Sequence, residues 1–251
     1  MFTVWQFPGR RTTLDIDFSA HYDNQIAAIE EVINDVCNVG VIPDGLVFDP
    51  STIKGQRIKE NVDYEGIRVK FRGFLGRTRI TMQIDVGFGD VIYPKPTAID
   101  YPVILDLPKP RLKGYPAESV ISEKFEAMVK LGLLNSRMKD FYDILLMMRQ
   151  YDFNGTELVE ALKRTFKHRK TPLPEHKPLF AEEIYNEKSD RQALWKAFLQ
   201  KGDIKNAPEK LCTTAREIEK FLISPLNAIH RGQEFSKHWE ASGLWRWKKQ
   251  N

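Results

Sequence analysis

Leu14-Asp15-Ile16-Asp17-Phe18 sets two carboxylates one residue apart in an alternating apolar and acidic run. Such alternation specifies a half-buried strand. Side chains two apart on a strand point the same way, with Cα atoms roughly 6.5–7 Å apart. Leu14, Ile16 and Phe18 can then enter a core while Asp15 and Asp17 face outward together. Held side by side they repel unless a cation sits between them, and Mg2+ suits hard oxygen ligands and substrate phosphates. The same triplet also fits a solvated strand edge. Gln83-Ile84-Asp85-Val86 adds a third acid between apolar neighbours. On an adjacent strand, Asp85 could complete a metal pair about 3.5–4 Å apart, of the kind that holds triphosphate oxygens and activates a hydroxyl. The alternative for Asp85 is an exposed cross-strand acid.

These acids need strands to hold them. Ile67, Val69 and Phe71 alternate with Arg68, Lys70 and Arg72, and Ile80, Met82, Ile84 and Val86 alternate with Thr81, Gln83 and Asp85. Gly73 and Gly76 bracket a turn, so residues 66–86 read as a hairpin. Ile26, Ile29, Ile33 and Cys37 recur at helical spacing, and 41–48 reads as a strand. Pro94, Pro96, Pro102, Pro108, Pro110 and Pro116 then crowd one segment. It can form neither a long helix nor a central strand, and it is read as an extended crossover. Beyond it, 118–131, 136–151 and 156–169 are helical by periodicity and stop signals, with about three more helices expected after Ala181. The fold class is α+β: a mixed-sheet lobe over 1–92, a Pro-rich crossover over 93–116 and an all-helical lobe over 117–251.

The chain's 251 residues can bury a sizeable core without staples. A hydrophobic content of 42% with 29% charged residues argues against disorder. No apolar run is long enough to span a bilayer, and the N-terminus lacks the order of a signal peptide. The net charge of +4 permits a nucleic-acid partner without requiring one. Cys37 and Cys212 form no CxxC pair and the five histidines have no metal-binding spacing, so a reducing cytoplasm is the expected location.

The order of these motifs resembles the nucleotidyltransferase superfamily, and more closely the AbiEii/AbiGii toxin family of type IV, abortive-infection toxin–antitoxin systems. Arg11-x-Thr13-x-Asp15-x-Asp17 is similar to that family's first motif, and Ile84-Asp85-Val86-Gly87-Phe88-Gly89-Asp90 to its third-acid strand. Tyr115-Pro116-x-Glu118-x-Val120-Ile121-x-Glu123-Lys124-Phe125-x-Ala127-Met128 resembles its helical Glu-Lys motif. Asn135-Ser136-Arg137-Met138-Lys139-Asp140-Phe141-Tyr142-Asp143-Ile144 resembles its closing Lys-Asp motif. The resemblance implies Asp15 and Asp17 as metal carboxylates, with Asp85 as the third acid. It also implies that Lys124 meets nucleotide phosphates and that Asp140 completes the site. Arg11, Thr13, Arg137, Lys139 and Asp143 would bind nucleotide or RNA. For the charged helix residues the alternative is a surface salt bridge.

The expected activity is Mg2+-dependent transfer of NMP from an NTP to an RNA. By resemblance the acceptor is a tRNA 3′ end and a separately encoded antitoxin counters the toxin, with no membrane partner. The family pattern includes a Gly-Gly or Gly-Ser turn before the first acids, whereas Gly9 is the sole glycine ahead of Asp15. Either the lobe starts inside its first helix, as expected, or this member lacks the turn. The alternative reading is a non-catalytic binding protein of the same fold. A phosphatase using Asp15-x-Asp17-x-Ser19 would need a doubly wound parallel sheet. Arg68, Lys70 and Arg72 share a strand face that could guide an RNA end. Lys163, Arg164, Lys167, His168, Arg169 and Lys170 suit either RNA phosphates or a helix C-terminus. The tail Leu244-Trp245-Arg246-Trp247-Lys248-Lys249 suits base stacking or a tryptophan clamp on the helical lobe.

Overall fold

The computed structural model describes residues 16–61, 64–101, 103, 106–241 and 243–247. The chain divides into two compact units after Asp90. In the first, β1 (Ile16–Ala20), α1 (Ile26–Cys37), β2 (Leu46–Asn61), β3 (Tyr64–Leu75) and β4 (Thr78–Phe88) follow in order. The strands form one mixed sheet, ordered β1-β4-β3-β2. β3 and β4 are the expected antiparallel hairpin. Leu75 pairs with Thr78 across Gly76-Arg77, and Gly76 takes the positive φ (57°) that such a tight connection demands. β1 joins β4 in parallel, which makes the sheet mixed.

Strand alternation sends Ile67, Val69 and Phe71 of β3 and Ile84 and Val86 of β4 to one face, where they pack with Ile29 and Ile33 of α1. α1 also lies close against β2. A Cβ on Gly55 would stand 2.6 Å from the Ile26 side chain, and the Gly55 N–H donates to Glu30 at 2.6 Å. By register Ile16 and Phe18 share the face of Ile84 and Val86, yet they are 48% and 50% exposed. This corrects the expectation that they are core residues: α1 lies over β2 and β3, and β1 is the edge strand. β2 starts at Leu46 and not at 41 as expected, and it runs on to Asn61. Its ladder breaks between Asp49 and Lys54, where Pro50 cannot donate to it.

The second unit opens on the Pro-rich segment. This segment is not a plain crossover, because β5 (Thr97–Asp100) and β6 (Arg111–Gly114) pair antiparallel within it. The helices α2 (Ala117–Leu131), α3 (Met138–Gln150), α4 (Gly155–His168), α5 (Glu182–Tyr185), α6 (Asp190–Lys201) and α7 (Leu211–His230) follow. Their core gathers Phe125, Phe141, Phe166, Trp195, Phe221 and Trp239 with aliphatic neighbours. The unit is not wholly helical: β7 (Phe153–Asn154) pairs with β8 (Lys237–Glu240), which pairs with β9 (Leu244–Trp247). The doubly wound sheet that a phosphatase reading requires is therefore not what the first unit forms.

The tryptophan clamp has a chemical cause. Pro225 lies inside α7 and has no N–H to give the carbonyl four residues back. That carbonyl belongs to Phe221, and the Trp245 indole N–H donates to it at 2.8 Å. The Trp245 ring also stacks on the Phe221 ring, with centroids 5.7 Å apart. Trp247 is 67% exposed and takes Lys237 over its ring. Replacing Trp245 by Phe keeps a ring but leaves a buried carbonyl unmet, at an expected cost of about 1–3 kcal/mol in urea unfolding. In a Pro225→Ala background the backbone N–H of residue 225 can serve that carbonyl, so the same replacement should cost clearly less. Equal costs in the two backgrounds would contradict this pairing.

Candidate active site

The register of the first unit decides which acids meet. Asp17 of β1 stands opposite Asp85 of β4, and Asp85 stands opposite Arg68 of β3. Residues paired across a ladder share a face, and neighbouring strands lie about 4.8 Å apart. Asp17, Asp85 and Arg68 therefore form a row across three strands, on the face away from α1. Arg68 closes on Asp85 as a fork, Nε to Oδ1 at 2.8 Å and Nη2 to Oδ2 at 2.6 Å. The Asp85 side chain is 13% exposed, while Asp17 is exposed. Ser19 continues the β1 face beyond Asp17, and its hydroxyl is buried without a hydrogen-bond partner among the described residues. Arg11, Thr13 and Asp15 lie outside the described residues.

The donor set fits magnesium. That ion takes one or two carboxylates and draws its other ligands from water and substrate phosphates. Among the described residues no group of three or more His, Cys, Asp or Glu could hold a metal alone. A carboxylate offers about four lone-pair sites, so the Arg68 fork leaves Asp85 with acceptor capacity. Spacing had marked Arg68 as a guide for RNA, and its grip on Asp85 shows only in the cross-strand register. No signal within β3 alone distinguishes it from Lys70 or Arg72.

The second unit holds the other expected residues. Lys124 of α2 donates to Asp140 at 2.9 Å and reaches Asp143 at 2.8 Å, both on α3. Arg137 Nε donates to the other Asp140 oxygen at 2.6 Å. Asp140 and Asp143 lie three apart, which puts them on one helix face, and neither side chain has exposed surface. This is a buried ion cluster and not the surface salt bridge that the sequence left open. Lys139 is exposed, so the i,i+4 pair with Asp143 gives way to Lys124 as the carboxylate's partner. Burial alone would lower the Lys124 ammonium, but the charges of Asp143 and Asp140 more than reverse this and hold it above the usual lysine range. Burial likewise disfavours ionised Asp140, and the Lys124 and Arg137 charges outweigh it, holding its carboxyl below the usual range.

The basic residues of α4 are partly spent within the unit. Arg164 pairs with Glu160 at 2.6 Å and stacks over the Tyr93 ring. Arg169, just past the helix, pairs with the buried Glu126 at 3.0 Å.

A mixed sheet bearing acids in register on adjacent strands, joined to a largely helical unit, is the architecture of a nucleotidyltransferase. The chain belongs to the AbiEii family, described as nucleotidyl transferase AbiEii toxin, type IV TA system, whose model matches residues 3–220. Among solved structures it is similar to JHP933 from Helicobacter pylori, at 16% identity over 93% of this chain and 88% of that one, with a TM-score of 0.47. It is also similar to a second H. pylori chain, described only provisionally as a nucleotidyltransferase, at 15% identity over 89% and 86% of the two chains and a TM-score of 0.45. No curated protein matches it. No helix among the described residues is long and apolar enough to cross a membrane.

Removing one partner of a buried ion cluster is costly. Lys124→Met should lower unfolding stability in urea at neutral pH by about 3–5 kcal/mol. The pH dependence follows from the two shifts. Asp140 is depressed from 3.8, so its contribution is present above that value and is lost as pH falls through its lower folded value. Lys124 is raised from 10.5, so its contribution is present below that value and is lost only at more alkaline pH. Between these limits the cluster's contribution is flat. A difference between wild type and Lys124→Met that changes steeply around neutral pH would contradict this assignment.

Proposed function

We propose that the chain transfers a nucleoside monophosphate from a Mg2+-bound NTP to the 3′-hydroxyl of an RNA, with tRNA as the acceptor class and a separately encoded antitoxin as its counterpart. The observation that carries this reading is the in-register row of Asp17, Asp85 and Arg68 on one sheet face. Asp15 and Asp17, two apart in sequence, and Asp85 are the magnesium carboxylates. When bound, the ion neutralises triphosphate charge and lowers the pKa of the attacking hydroxyl. The oxygen of the RNA terminus then forms a bond to the α-phosphorus. The bond from that phosphorus to the bridging oxygen breaks, pyrophosphate leaves, and the hydroxyl proton ends on water.

Little covalent chemistry falls to the protein, so its part is positioning and charge. Arg68 fixes the orientation of both Asp85 oxygens. Arg11 and Thr13, just ahead of the acid pair, are assigned to nucleotide. In the helical unit, Lys124 is assigned to nucleotide phosphates, with Asp140 holding its ammonium at 2.9 Å. Arg137 and Lys139 are assigned to nucleotide or RNA, and Asp143 acts through Lys124, which it holds at 2.8 Å. Support for Lys124 is its confinement: two buried carboxylates hold the ammonium in one place while 15% of the side chain stays exposed.

The test is incubation of the chain with labelled NTPs, Mg2+ and total tRNA. Label should appear in RNA and fall by roughly a hundredfold or more in Asp17→Asn and in Asp85→Asn. Arg68→Ala should lose about tenfold to a hundredfold through misorientation of Asp85, with partial recovery in Arg68→Lys. Label that survives both aspartate replacements would refute the site. No label from the wild type under any NTP would favour the alternative, a binding protein of this fold without catalysis.

A further inference from the structure

The face that carries the acids continues along the sheet as a basic track. Beyond the Asp85–Arg68 pair, the next row across the ladder is Gln83, Lys70 and Lys54. Then come Thr81, Arg72 and Asp49, followed by Arg79, Phe74 and Val47. Arg68, Lys70, Arg72 and Phe74 are two apart along β3, so they line one face at steps of roughly 6.5–7 Å. Lys54, Lys70, Arg72 and Arg79 are all exposed. The acid on this stretch is Asp49, and its carboxylate is engaged by the backbone N–H and hydroxyl of Ser51, at 3.1 and 2.6 Å. The track leads from the acid row to an aromatic ring over about 20 Å.

We propose that this face, resting on the reading above, seats the 3′-terminal single strand of the RNA acceptor. Lys70, Lys54, Arg72 and Arg79 follow its phosphates, and Phe74 stacks a base at the far end. Three features favour RNA over an acidic polypeptide. The cations repeat at a regular step along one line, a ring suited to base stacking stands among them, and the line ends at the acids where a 3′-hydroxyl would react. Guanidinium and ammonium groups on a strand match the phosphates of an extended chain without reading sequence, which suits an enzyme acting on an RNA end.

The experiment measures binding of the full chain to a fluorescein-labelled single-stranded RNA by anisotropy, across a series of salt concentrations. Each phosphate contact on a single strand contributes about 0.7 to the salt slope. Lys70→Glu with Arg72→Glu should therefore weaken binding roughly tenfold or more and flatten the slope by about 1.4. Phe74→Ser should weaken binding severalfold with the slope unchanged, which loss of a phosphate contact would not do. Lys163→Glu with Lys167→Glu, on α4, should change neither.

Unchanged affinity and slope in the β3 pair would overturn the proposal, as would a loss confined to the α4 pair. Equal competition by polyglutamate of matched charge would show a general polyanion surface and would also overturn it. Labelling of RNA is read in parallel. Binding that depends on the track but yields no label would retire the transfer reading alone, and label without dependence on the track would retire this surface alone.

Discussion

One parallel register, β1 against β4, determines whether this chain has an active centre. It sets Asp17 opposite Asp85. Strand side chains alternate between faces, so a slip of one residue would turn Asp17 toward the α1 side and bring an apolar neighbour opposite Asp85. On the other face Ile84 and Val86 of β4 pack with Ile29 and Ile33, and Ala20 at the end of β1 packs against the same cluster. The geometry of the acids thus follows from the packing of residues that do no chemistry.

Charge is managed differently in the two units. In the sheet, a single guanidinium holds Asp85 in a fork between the two central strands. That contact is strong in geometry and modest in energy, and it leaves the carboxylate with lone pairs for a further ligand. In the helices, two cations and two carboxylates are sequestered together. Such a cluster is no better for stability than an apolar core of the same volume, but it cannot lose one member cheaply. Its effect is to fix where the Lys124 ammonium sits.

Much of this was legible in the sequence. Period-two alternation gave the β3–β4 hairpin, and three-to-four spacing gave α1 through Ile26, Ile29 and Ile33. Helix ends at Gly132 and near the prolines after Lys170 followed from local chemistry. What escaped depended on partners distant in sequence. The Pro-rich stretch revealed that it could not be helical, but not that residues 97–100 and 111–114 would pair. The half-exposure of Ile16 and Phe18 depends on where α1 lies, and alternation alone cannot show that. Pairing also decided the site: Arg68 looks like Lys70 and Arg72 until Asp85 is placed beside it. Lys139 and Asp143 are spaced for a helix pair, yet the buried Lys124 outcompetes an exposed lysine for the carboxylate. The acid pair itself was half readable, since alternation predicts that Asp17 faces outward but does not show what it faces.

The most direct test of the central claim is Mn2+ binding followed by electron paramagnetic resonance, with the chain as it stands and a non-hydrolysable NTP. The register requires that Mn2+ be taken up with the nucleotide and that Asp17→Asn and Asp85→Asn each weaken that uptake, while a replacement on the α1 side of the sheet such as Val69→Ala does not. Mn2+ uptake that is indifferent to both aspartates would show that the two carboxylates are neighbours without a shared ion.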